Sequence, residues 1–327
     1  MLLFLLTSNE LHLHVLCKGL LPGKTAWSTS PPAWSGLRRL DKETNEGGTM
    51  HRSLFFTQPS CCSNQGVTCG NVSGIASYPN VVSIDLSGMR LSGSLPAAIG
   101  NFGSLTRFVM GKNIVRGTIP STVGLLTSLR YLDIGSNVLT GTIPSSIGLM
   151  TKLTVLLAGK NRLTGSIPLS IGSLRAMITL YLENNSIAGS IPATVGVMTD
   201  LVILSLYANS LSGTIPENIN SLKRLEYMYI DNNAITGTIP TGFSALTNLI
   251  QLNMNFNYLT MGSMTTVPAS TFAPLTLREL GVAQNCLVYT SILYPATSAN
   301  ATNCKCKEQH QILVHKTESS SYVYQDD

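Results

Sequence analysis

Between residues 81 and 285 the apolar positions follow one sentence, written most clearly in residues 129–152, LRYLDIGSNVLTGTIPSSIGLMTK. Leu132 and Ile134 flank Asp133 with the period of two that marks a β-strand, and Leu129, Leu139 and Ile143 supply further buried positions at fixed intervals. The sentence recurs. Leu-Pro or Ile-Pro falls at Pro96, Pro120, Pro144, Pro168, Pro192, Pro216 and Pro240, and an Asn falls at 113, 137, 161, 185, 209, 233 and 257, both with a step of 24 residues. Seven units in unbroken phase predict a solenoid, because a repeat this short has one apolar face that only stacked neighbours can cover.

Within a unit each residue type has a physical role. Outward Asp133 sits between buried Leu132 and Ile134. Asn137 closes the strand, where an amide offering both a donor and an acceptor can satisfy main-chain groups of adjacent coils; stacked, these form a ladder. Gly141 permits a tight or positive-φ turn, and Pro144 fixes φ and donates no hydrogen bond. Some positions depart from the pattern: Met89 stands at the ladder position of the first unit, Ala158 at a core Leu or Ile position, and Asn257 to Asn285 spans 28 residues, an expected four-residue extension around residues 261–268.

The combination Leu-x-x-Leu-x-Leu-x-x-Asn with Gly-x-Ile-Pro resembles the plant-type extracellular leucine-rich-repeat proteins, a family that includes receptor-kinase ectodomains, receptor-like proteins and polygalacturonase inhibitors. The resemblance implies an α/β-type right-handed superhelix with a parallel β-sheet on its concave face. It extends to Cys61-Cys62-Ser63-Asn64-Gln65-Gly66-Val67-Thr68-Cys69, similar to the family's N-terminal cap except that Asn64 replaces Trp, and to Cys304-Lys305-Cys306, similar to its C-terminal cap. The expected organisation is a leader or linker at 1–59 with a weak or absent signal sequence, a cap at 60–80, about nine repeats over 81–285, a second cap at 286–306 and a polar tail at 307–327.

The seven Cys lie almost wholly outside the repeats, which reads as stapled ends in an oxidising compartment and places the chain outside the cell or at its surface. Cys62 with Cys69 is expected to close one end, and Cys286 with either Cys304 or Cys306 the other. Cys61 is left for Cys17 or stays free; in the resembling family the first Cys of the pair bonds one well upstream. Acceptor triplets for N-glycosylation begin at Asn71, Asn184 and Asn300.

Composition narrows the function. Charged residues are 11% of the chain, and the 12 Lys and Arg of residues 81–285 are scattered against 8 Asp and Glu, so no basic stripe marks a nucleic-acid site. The five His, at 12, 14, 51, 310 and 315, all lie outside the repeats, which leaves the scaffold without an imidazole for acid–base or nucleophilic work. Cys286, Cys304, Cys306 and His310 match no common zinc spacing. No cofactor, metal or membrane span is expected, and the chain is read as a non-catalytic module.

What varies without structural need is the outward face of the strands. One column runs Ser83, Arg107, Tyr131, Val155, Thr179, Ile203, Tyr227, Gln251, Glu279; the other runs Asp85, Val109, Asp133, Leu157, Tyr181, Ser205, Tyr229, Asn253, Gly281. Tyr181, Tyr207, Tyr227 and Tyr229 cluster with Glu183, Asp231, Asn253 and Asn255. Tyr is an effective anchor in interfaces, being large, amphipathic and poor in rotamer entropy. The expected function is therefore recognition of a protein or peptide on the concave sheet, with Glu183 and Asp231 preferring a basic partner group. A cell-wall-enzyme inhibitor and a ligand-free structural solenoid are the alternatives.

Overall fold

A computed structural model describes residues 80–260, 277–282 and 285, together with the backbone of the strands Leu2–Thr7, Glu10–Val15, Val67–Gly70, Ile312–Lys316 and Tyr322–Asp326. The cap cysteines other than Cys69, the 261–268 extension, Asn71 and Asn300 lie outside these residues, and the Cys69 side chain is not among those described.

Nine strands form one parallel sheet: β1 (Asn80–Asp85), β2 (Arg107–Val109), β3 (Tyr131–Asp133), β4 (Val155–Leu157), β5 (Thr179–Tyr181), β6 (Ile203–Ser205), β7 (Tyr227–Tyr229), β8 (Gln251–Asn253) and β9 (Glu279–Gly281). Their register follows the repeat without slippage. Ser83 pairs with Arg107, Arg107 with Tyr131, and so on through Gln251 with Glu279, so both outward columns read from the spacing are columns in space. An antiparallel strand, Val67–Gly70, covers the β1 edge, and the hairpin Ile312–Lys316 with Tyr322–Asp326 covers the β9 edge, His315 standing opposite Glu279. Paired in this way, neither flank of the nine strands presents an open row of backbone groups.

The unit 129–152 buries seven apolar side chains, Leu129, Leu132, Ile134, Leu139, Ile143, Ile147 and Met150, none more than 5% exposed. They belong to one continuous core running from Val81 to Val282. Ala158 is buried in line with the larger residues of neighbouring coils, and half-exposed Met89 packs on the end of the core. The ladder links the coils. Asn137 Nδ2 donates to Met110 O of the previous coil (3.0 Å) and to Ile134 O of its own (3.2 Å), while its Oδ1 accepts from Val115 N (2.9 Å). Asn285 makes the same bonds to Met254 O, Val282 O and Leu259 N, so the ladder resumes its geometry across the 28-residue unit.

After the ladder, several coils carry a second short strand, among them Ser92–Ser94, Ile114–Thr118 and Val138–Thr140, paired in parallel, and each described coil then makes a single 3-10 turn such as Ser121–Leu125 or Ser145–Leu149, entered through Pro120 or Pro144 at extended φ and ψ. The α-helical content implied by an α/β-type solenoid is thus reduced to one tight turn per coil. Gly148 in such a turn lies against the next coil, where a β-carbon would stand 2.6 Å from Ser170 O. Gly141 has φ +72, as its turn requires. The residue before the ladder Asn is left-handed in seven coils, and none is glycine: Lys112, Ser136, Lys160, Asn184, Ala208, Asn232 and Phe256 have φ between 52 and 59.

Candidate functional site

The outward face changes character along the array. At the β1–β3 end the one cation is already engaged: the Arg107 guanidinium lies 4.0 Å from the centroid of the Tyr131 ring and 3.8 Å from Asp85. Neither contact is strongly desolvated, since both charged side chains are 43% exposed, so this pair is worth little in stability. At β4 to β6 the face turns apolar, with Val155, Leu157 and Ile203 half-buried on it. These aliphatic positions were not singled out by type, because Val and Ile are ordinary strand residues; their register beside Tyr181 and Tyr227 makes them part of one patch.

The tyrosines surround a small residue. Tyr181, Ser205 and Tyr229 are consecutive members of one column, so two rings flank a serine that is only 3% exposed. Tyr227 stands beside Ile203 in the other column. Burial, and then nearby acidic and phenolic groups, push the Tyr181 and Tyr229 hydroxyls upward, which keeps both as neutral donors. Tyr207 follows the end of β6 by two residues rather than lying within the strand, in the column of Gly135, Gly159, Glu183, Asp231 and Asn255 that leads to the ladder. Asn253 and Asn255 flank the backbone of Gly281, where a β-carbon would stand 2.6 Å from Asn253 Oδ1 and 2.7 Å from Asn255 Nδ2.

The two acids expected to greet a basic group, Glu183 and Asp231, are each only 8% exposed. Asp231 accepts a hydrogen bond from Asn232 Nδ2 at 2.7 Å. Glu183 lies back over Gly159, is hydrogen-bonded by Ser205, and has Oε2 buried without a hydrogen-bond partner. Burial dominates both carboxyls and pushes them up from the ordinary range against those hydrogen bonds. The reason lies in the neighbours: the 24-residue period brings the next coil close beside each acid, which sequence spacing alone does not convert into burial. An outward carboxylate the sequence reading left out of the patch, Glu279, instead closes a chain of hydrogen bonds. Tyr229 OH donates to Gln251 Oε1 at 2.6 Å, and Gln251 Nε2 donates to Glu279 Oε2.

Asn184 is half-buried at positive φ, with its N–H donated to Tyr207 O and its carbonyl accepting from Asn161 N. Among the described residues no group of three or more His, Cys, Asp and Glu is arranged to hold a metal, and no helix is long and apolar enough to cross a membrane.

Models of the leucine-rich repeat match residues 80–102, 128–150 and 199–259. No curated protein matches the sequence. Among solved structures the chain is similar to the plant peptide hormone receptor RGFR1 in complex with RGF2, at 32% identity over 61% of this chain, with a TM-score of 0.58. It is also similar to the PEPR1–AtPEP1 structure, at 28% identity over 70% of this chain, with a TM-score of 0.53. The chain spans 31% and 38% of the length of those two proteins. With the ladder, the turn prolines and the parallel sheet in the same 24-residue phase, these matches show that the chain is built of leucine-rich repeats and is similar to plant receptor structures.

Proposed function

We infer that the chain is a non-catalytic recognition module that holds a protein or peptide against its concave sheet outside the cell. The observation that carries this reading is the convergence on β4 to β7 of Val155, Leu157 and Ile203 with Tyr181, Tyr227 and Tyr229. A strand face needs none of these side chains for folding, since the core lies on the other side; Tyr side chains on a rigid sheet are effective hot-spot anchors, and the aliphatic residues beside them supply the apolar interface core. The similarity to a peptide hormone receptor supports a peptide or protein partner, and half-buried Tyr181 supplies a neutral hydroxyl donor for its backbone.

The expected contact residues are Tyr181, Tyr207, Tyr227, Tyr229, Asn253 and Asn255, with disulfide caps at both ends of the array. Affinity capture from extracellular fluid, with wild-type protein and a Tyr227→Ala/Tyr229→Ala variant run side by side, tests the reading. A partner retained by the wild type and lost by a folded variant supports it; identical captures contradict it and favour a structural solenoid.

A further inference from the structure

We propose that the partner is a basic segment crossing the strands and that Glu279, held by Gln251 and Tyr229, is the carboxylate that receives its Arg or Lys side chain. This deepens the recognition reading above and rests on it. From β4 to β9 the three outward columns, those of Tyr131, Asp133 and Gly135, carry the carboxylates of Glu183, Asp231 and Glu279 and no Lys or Arg. Three columns with acids and no Lys or Arg, bordered only by Lys160 and Arg278 outside them, are complementary to a cationic partner and disfavour an acidic one.

Of the three acids, two are poorly suited to meet that partner directly. Glu183 and Asp231 are buried, with carboxyls pushed toward the neutral form. Glu279 is half-exposed, so a cation can approach without displacing a coil. Its position is held by the chain Tyr229 OH to Gln251 Oε1 and Gln251 Nε2 to Glu279 Oε2, which spends one carboxylate oxygen on orientation. The same chain ties Glu279 to Tyr229, so a basic side chain at Glu279 places the preceding or following part of an extended segment on the tyrosine and aliphatic patch. Exposed Arg278 lies one residue earlier, and the backbone of His315 stands opposite in the sheet register.

The test pans a phage-displayed library of random twelve-residue peptides against the wild type and against Glu279→Gln, at pH 7.5 and low salt. The selected peptides are then synthesised for affinity measurement. The wild-type pool is expected to be enriched in Arg and Lys together with apolar residues. The leading peptide should lose about tenfold in affinity on Glu279→Gln, as for a charge-assisted hydrogen bond. Replacing its basic residue by Ala should cost the same on the wild type and nothing further on Glu279→Gln. Gln251→Leu, which cuts the orienting chain but keeps the carboxylate, should weaken the same peptide by a smaller factor. A pool without basic enrichment, or a basic residue coupled to Glu183→Gln or Asp231→Asn instead of Glu279→Gln, overturns the assignment. Failure of the folded wild type to select any peptide overturns the peptide-binding reading itself.

Discussion

The carboxylate of Glu183 lies over Gly159, in the space where a side chain on Gly159 would otherwise stand. That arrangement buries the acid on the outward face of the sheet, and it gives the array a pH dependence. Burial raises the Glu183 carboxyl above its ordinary value of 4.5, and Asp231 and Asp133 shift in the same direction from 3.8. The folded state then binds protons more tightly than the unfolded chain, so this contribution to stability is full below the unfolded values and is lost as pH rises through the folded ones. The melting temperature of Glu183→Gln, which resembles the protonated form, is expected to exceed that of the wild type at about pH 7 and to match it near pH 4. A variant less stable than wild type at neutral pH would contradict the sign.

The ladder carries the main-chain polar groups between coils. Asn209 accepts from Ile187 N at 3.0 Å and donates to Leu182 O at 3.0 Å and Leu206 O at 3.1 Å. Asn209→Leu leaves those groups unpaired and is expected to cost about 3 kcal/mol, read as a shift in the denaturant midpoint. A loss well under about 1 kcal/mol would mean that water or a neighbouring group takes over the bonds.

The tyrosines should separate folding from binding. Tyr227→Ala and Tyr229→Ala remove half-exposed rings from the outer face and are expected to change stability by no more than about 1 kcal/mol, while each weakens a bound partner by about 2 kcal/mol. Thr179→Ala, on the same face, is the control. Calorimetric titration beside thermal melts distinguishes the two effects, and unchanged affinity in both Tyr variants would move the contact surface elsewhere.

On the other side of the coil, Gly148→Ala tests how tightly the 3-10 turns stack. The added carbon would stand 2.6 Å from Ser170 O and 2.7 Å from Ser170 Cβ. Because the nearest obstacle is backbone, the coils must part, and the expected cost is about 1 to 3 kcal/mol by chemical denaturation. Gly141→Ala should also destabilise, for a different reason, since its φ is +72.

A period of 24 residues makes one dimension of this protein readable from the chain: once Asn137 is a ladder residue, Asn161 and Asn185 are too, and the two outward columns follow because side chains alternate along a strand. The sequence by itself therefore determined the solenoid, the sheet, the buried positions and which residues share a column. It did not determine the lateral environment. Whether an outward acid is wet or dry depends on what the adjacent coil places beside it: Gly159 and Ser205 around Glu183, Gln251 and Tyr229 around Glu279. The choice of a single 3-10 turn opposite the sheet, and a left-handed residue ahead of the ladder Asn in the described coils, likewise arise from closing each coil onto its neighbours. Repetition specifies register, because register is a property of spacing. Desolvation and hydrogen-bond partners belong to pairs of side chains from different coils, and only the stacked structure decided those.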